Sequence, residues 1–168
     1  FAPPDVKKRD TYVVRSSAES IGAGAVLFPF KTSFWSEIDP ATLRPRLFHA
    51  VETDNKESVD TTVDYFPNRL KSVEKTKNLK TGKVETTDRR FLFSPVFDIY
   101  SAMLHVRSQK LAKGDKIALV VHPFGSSYLL RIQVDGREKH EGRDSIRLTM
   151  GMRKIDRKTQ KLQPYTKL

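Results

Sequence analysis

The sequence predicts a single mainly β domain: a strongly curved antiparallel meander, an open or half barrel, interrupted by one α-helix near residues 95–107. Three observations carry this. Apolar and polar residues alternate over most of the chain, the pattern of half-buried strands. The alternating runs follow one another at intervals of roughly 10–15 residues, punctuated by glycine, proline, asparagine and aspartate, which is hairpin spacing and not the rhythm of alternating strand and helix. A single stretch carries a 3.6-residue apolar period.

Tyr12 to Ser17 reads as the first strand, with Tyr12 and Val14 on one face, ended by the glycine-containing run Ile21-Gly22-Ala23-Gly24. Phe30 to Ile38 follows: Phe30, Phe34 and Ile38 share a face with Thr32 and Ser36, which leaves Trp35 on the other surface. Asp39-Pro40-Ala41-Thr42-Leu43 is a turn, because proline presets φ and the aspartate side chain can accept from amides ahead of it. A strand starts near Arg46. Val59 to Phe66 and Leu70 to Lys77 form a hairpin around Pro67-Asn68-Arg69, and Asn78 to Lys83 turns the chain into a strand over Val84–Phe93.

The helix lies between Pro95 and Arg107, where Ile99, Met103 and Val106 recur at i, i+4 and i+7, and Ser94 or Asp98 can cap its start. Gly114-Asp115 returns the chain to strands over Ile117–Val121 and Tyr128–Val134. Asp135-Gly136 then reads as a tight turn, and Ile146–Met152 as the last strand, with Gly151 marking a bulge. This makes about nine strands and one helix.

Composition bounds the chemistry. The chain has 168 residues, 38% of them hydrophobic, with ten Phe, enough apolar side chain to offset the entropy of ordering one core. No apolar stretch is long enough to cross a bilayer as a helix; the longest, Ala23 to Phe30, is broken by glycine and proline. The absence of cysteine excludes disulfides, thiolate metal sites and cysteine nucleophiles. His49, His105, His122 and His140 form no paired ligand spacing, so no metal is expected; no GxSxG elbow, phosphate loop or dinucleotide fingerprint occurs either. The reading is non-enzymatic, with no cofactor.

The formal charge of +11 predicts attraction to polyanions. One basic cluster, Arg69, Lys71, Lys75, Lys77, Lys80, Lys83, Arg89 and Arg90, occupies a hairpin region; Arg153, Lys154, Arg157, Lys158, Lys161 and Lys167 close the chain. No aromatic residue lies between Arg69 and Arg90 to stack on bases, which disfavours nucleic acid relative to an acidic polysaccharide or anionic lipid.

The segment Phe97-Asp98-Ile99-Tyr100-Ser101-Ala102-Met103-Leu104-His105-Val106-Arg107-Ser108-Gln109-Lys110-Leu111, followed by Gly114-Asp115 and by Gly136-Arg137-Glu138, resembles the bacterial domain-of-unknown-function family 3108. Its members share a D-x-x-S-A-h-x-x-h-R-S-x-x-L segment ahead of a closing meander, and Asp39 to Pro45 matches a turn of the same family. The resemblance implies a periplasmic, envelope or secreted protein made with a signal peptide; the start at Phe1 in place of Met fits a removed signal peptide or a trimmed chain equally. It also implies further strands before and after the present chain, and no known activity. Under this resemblance Asp98, Ser101, Arg107, Gly114, Asp115, Gly136, Arg137 and Glu138 are structural residues. The expected function is a non-catalytic envelope protein with a concave, partly apolar surface for a hydrophobic or amphipathic ligand or another envelope protein, its walls including Phe34, Tyr65, Leu130 and Leu148. The alternative is polyanion binding through Arg69, Lys71, Lys75, Lys77, Lys83, Arg89 and Arg90.

Overall fold

A computed structural model describes residues 11–92, 94–123 and 125–164. Six strands run consecutively and pair in chain order: β1 (Tyr12–Glu19), β2 (Phe30–Ile38), β3 (Pro45–Asp54), β4 (Glu57–Phe66), β5 (Arg69–Asn78) and β6 (Val84–Phe91). All five pairings are antiparallel. A second sheet, ordered β10-β9-β8-β7, is built from β7 (Val96–Phe97), β8 (Lys116–Val121), β9 (Tyr128–His140) and β10 (Arg143–Lys154). Here β7 and β8 run parallel, because a helix, α2 (Ile99–Arg107), links them; a parallel pair needs such a crossover. The mainly β meander is therefore as predicted. It is open, with no closed barrel, and differs in being divided into sheets of six and four strands, ten among the described residues.

Two hydrophobic cores lie on opposite faces of the smaller sheet, as the alternation within its strands requires. Val96 and Val120 point to the first, with Phe48, Ala50, Val63, Leu70 and Phe91 of the larger sheet. Phe97, Leu119, Val121 and Ile132 point to the second, closed by Ala102 and Val106 of α2. Tyr100 reaches back to the first core and packs against Phe48 with ring centroids 6.5 Å apart.

The helix is shorter than its apolar period suggests. It begins at Ile99 because Asp98 is its cap: the carboxylate accepts from the Ser101 amide at 2.7 Å, and Ser94 takes no part. The same carboxylate accepts from Ser36 Oγ on β2 at 2.5 Å, which pins the helix start to the larger sheet. That anchor orients α2 so that Ser101, Ala102 and Val106 face inward while Ile99 and Met103 remain exposed, a correction to the predicted Ile99–Met103–Val106 stripe. The small side chains at 101 and 102 permit the close approach.

Two turns also differ. Asp135-Gly136 lies inside β9, where Asp135 is the extra residue of a bulge between the pairs Gly136–Arg147 and Val134–Leu148. The bulge is held by Thr149 Oγ1 donating to Asp135 at 2.8 Å, and Gly151, the expected bulge, pairs regularly with Arg131. The reversal comes instead at Glu141-Gly142, both at positive φ (49° and 76°), the backbone that matches strand twist in a two-residue hairpin. Finally, the glycine run after β1 forms a short helix, α1 (Ala23–Leu27), none of whose residues is buried.

Candidate functional site

The four expected wall residues do not form one wall. Phe34 and Tyr65 pack against the first core, Leu130 and Leu148 against the second, on opposite sides of the smaller sheet. Tyr65 and the core residue Val96 border a cleft of about 260 Å³ with Pro45, Pro67 and Pro95. A larger concavity lies on the face of the larger sheet that carries Trp35.

Registers place this face precisely. Arg15 on β1 is opposite Trp35 on β2, which is opposite His49 on β3; Ser17 is opposite Ser33, which is opposite Val51. Cross-strand partners share a face. These six residues line a trough of about 480 Å³, bordered also by Ser16 and Phe34, a volume within the range of small-molecule sites. Trp35 is 7% exposed and meets the edge of the His49 imidazole at 6.0 Å between centroids. Its Nε1–H is buried without an acceptor among the described residues. His49 Nε2 lies 3.0 Å from Asp60 Oδ1, which orients the ring beside the indole. Arg15 is exposed and makes no ion pair among the described residues. The trough thus has an indole and a valine for apolar contact, two serine hydroxyls, and one unpaired guanidinium.

The basic hairpin is not a single cationic surface. Strand parity puts Arg69, Lys71, Lys75, Lys77 and Arg90 on the Trp35 face, but Asp64 is opposite Lys71, Asp60 opposite Lys75, and Asp88 is 3.6 Å from Lys71 Nζ. Arg69 stacks over Phe66 at 4.4 Å. Arg89 points to the other face and is paired with Glu74 at 3.1 Å, while Lys83 is tied to Glu85 at 2.8 Å. In the second cluster Lys154, Arg157 and Lys158 border a cleft with Arg89; Lys167 lies outside the described residues.

The motif residues are mostly structural parts. Asp98 and Ser101 are fully buried, and burial raises the Asp98 carboxyl above its ordinary value against the opposing effect of its hydrogen bonds. Gly114, at φ 92°, donates its amide to the Val134 carbonyl at 2.8 Å, and Asp115 accepts from the Ala112 amide at 2.8 Å. Gly136 serves the bulge, Arg137 pairs across to Ile146, and Glu138 accepts from Arg147 at 3.0 Å. Arg107 is exposed at the helix end, where a cation complements the dipole.

One buried group escaped the sequence. His122 is fully buried, with Nδ1 2.9 Å from Ser127 Oγ, its ring edge-on to Phe91 at 4.9 Å, and Nε2 unpartnered among the described residues. Burial, reinforced by Arg89 nearby, lowers its pKa to about 4. The imidazole is a neutral packing element. No group of three or more ligating side chains able to hold a metal occurs among the described residues.

The scaffold is a mainly β structure of two sheets, with a trough on one face of the larger sheet. The chain belongs to the family described as protein of unknown function (DUF3108), whose model matches residues 2–166. No curated protein and no solved structure matches it.

Proposed function

We propose that this protein is a non-catalytic binding protein of the periplasm or cell envelope that holds an amphipathic molecule, an acyl chain carrying an anionic head, in the Trp35 trough. The observation that carries this is the juxtaposition of Trp35 and Val51 with Arg15, which makes no ion pair among the described residues, on adjacent strands. Apolar contact with the valine and the small exposed part of the indole supplies about 25 cal/mol for each Å² removed from water. The guanidinium supplies a charge-assisted bond to a carboxylate or phosphate. An apolar segment of another envelope protein ending in a carboxylate would satisfy the same groups.

The electrostatics favour this over a polyanion surface, because the aspartates at 60, 64 and 88 interrupt the lysine rows on the same face. Native mass spectrometry of the protein purified from its own host tests the reading. A retained mass of lipid or fatty-acid size, lost from Arg15→Glu/Val51→Asp, is expected. A bare protein mass together with no uptake of added lysophospholipid would refute it.

A further inference from the structure

The hairpin tip between β1 and β2 is apolar and exposed. Residues 20–30 contain no charged side chain, yet Ile21, Val26, Leu27 and Phe28 are 80%, 82%, 68% and 77% exposed. The tip is ordered by its own backbone: the Ser20 amide donates to the Phe30 carbonyl at 2.9 Å, the Phe30 amide to Ser20 Oγ at 2.9 Å, and the Phe28 amide to the Gly24 carbonyl at 2.8 Å. A folded projection that keeps four large apolar side chains in water is costly unless something apolar receives it.

The registers identify its surroundings. Glu19–Lys31, Phe30–Asp54, Glu57–Asn78 and Lys77–Val84 are all terminal pairs at one end of the larger sheet. Three loops therefore share this end: the apolar tip, the turn at 55–56 and the turn at 79–83. They and the adjoining strand ends carry Lys31, Lys56, Lys77, Lys80 and Lys83, with Leu79 and Val84 also exposed. Glu19, Asp54, Glu57 and Glu85 lie there too, Glu85 paired with Lys83, so the long-range attraction comes from the net charge of +11 and Lys31, Lys56, Lys77 and Lys80 act at close range.

We propose that this end of the sheet docks on an anionic lipid bilayer, with Ile21, Val26, Leu27 and Phe28 inserted at the headgroup boundary and the lysines against the headgroups. An apolar insertion flanked by cations is the chemistry of interfacial membrane binding. The Ser17–Ser33 pair of the trough lies two residue pairs inward from Glu19–Lys31, so docking would bring the trough close to the bilayer. The proposal goes beyond the trough reading and does not depend on it.

Flotation with phosphatidylcholine vesicles and with vesicles enriched in phosphatidylglycerol tests it on the full chain. Binding to the anionic vesicles is expected, reduced at least about tenfold by Leu27→Asp/Phe28→Asp. The melting temperature should hold, since both side chains are exposed. Three results would overturn the proposal: no flotation of the wild type, equal flotation of the variant, or a wild-type dimer that the variant disperses, which would assign the tip to a second copy. Lysophospholipid uptake in the trough is read separately and survives any of them.

Discussion

Lowering the pH from 7 to 5 is expected to destabilise the protein through His122. The imidazole has a folded pKa of about 4 against an ordinary value of 6.5. The unfolded chain therefore takes up the proton first as pH falls. Its contribution is complete above about pH 6.5 and is lost progressively as pH drops toward 4. Linkage converts the shift into a loss of about 2 kcal/mol at pH 5 and about 3 kcal/mol at pH 4. For a chain of this length, 2 kcal/mol corresponds to roughly 4–8 °C in Tm. Asp98 acts in the opposite sense: its raised carboxyl is protonated more readily in the folded state, which favours folding as pH falls through its folded pKa. The comparison that isolates the histidine is wild type against His122→Asn, which keeps a polar atom near Ser127 but does not titrate. The variant is expected to be less stable at pH 7, having lost the packing on Phe91, and to show a flatter decline between pH 6.5 and 4. Melting followed by circular dichroism at half-unit pH steps measures both. Parallel curves for the two proteins would refute a buried neutral His122.

Asp98→Ala removes the helix cap and strands the buried Ser36 hydroxyl, so a loss of about 3 kcal/mol is expected in urea denaturation, with Asp98→Asn recovering part of it. Tyr65→Phe is expected to change stability by less than about 1 kcal/mol, because the buried hydroxyl it deletes has no partner among the described residues. Gly125→Ala places a Cβ 3.1 Å from Arg89 Nη1 at a φ of +56°, so a Tm decrease of several degrees, about 1–2 kcal/mol, is expected by calorimetry.

Strand positions were legible because alternation reports burial directly. β2 falls on the predicted Phe30–Ile38, and the β4–β5 hairpin closes at Pro67-Asn68. The Asp39 turn forms as its chemistry requires, with the carboxylate accepting from the Ala41 and Thr42 amides at 3.0 Å each. What alternation does not encode is which sheet a strand joins, so the division after β6 was hidden. Asp135-Gly136 misled because the same dipeptide suits a tight turn and a bulge, and only the partner strand's register separates them. The inward face of α2 was misread because a buried capping carboxylate, not the apolar period, fixes its rotation. Alternation puts Trp35 apart from the Phe34 face, as the structure has it, but does not show that the indole is buried and not semi-exposed. The grouping of Phe34 and Tyr65 with Leu130 and Leu148 failed because those pairs belong to different cores.

Trp35 is the sole tryptophan of the chain, so its emission reports directly on occupancy of the trough. Titration with a brominated lysophospholipid below its micelle concentration should quench Trp35 emission saturably in the wild type. Val51→Asp should lose most of that quenching, and Arg15→Glu should weaken the apparent affinity about tenfold or more. Emission that does not respond, or quenching that is linear and identical in all three proteins, would show that the trough holds no amphipathic ligand.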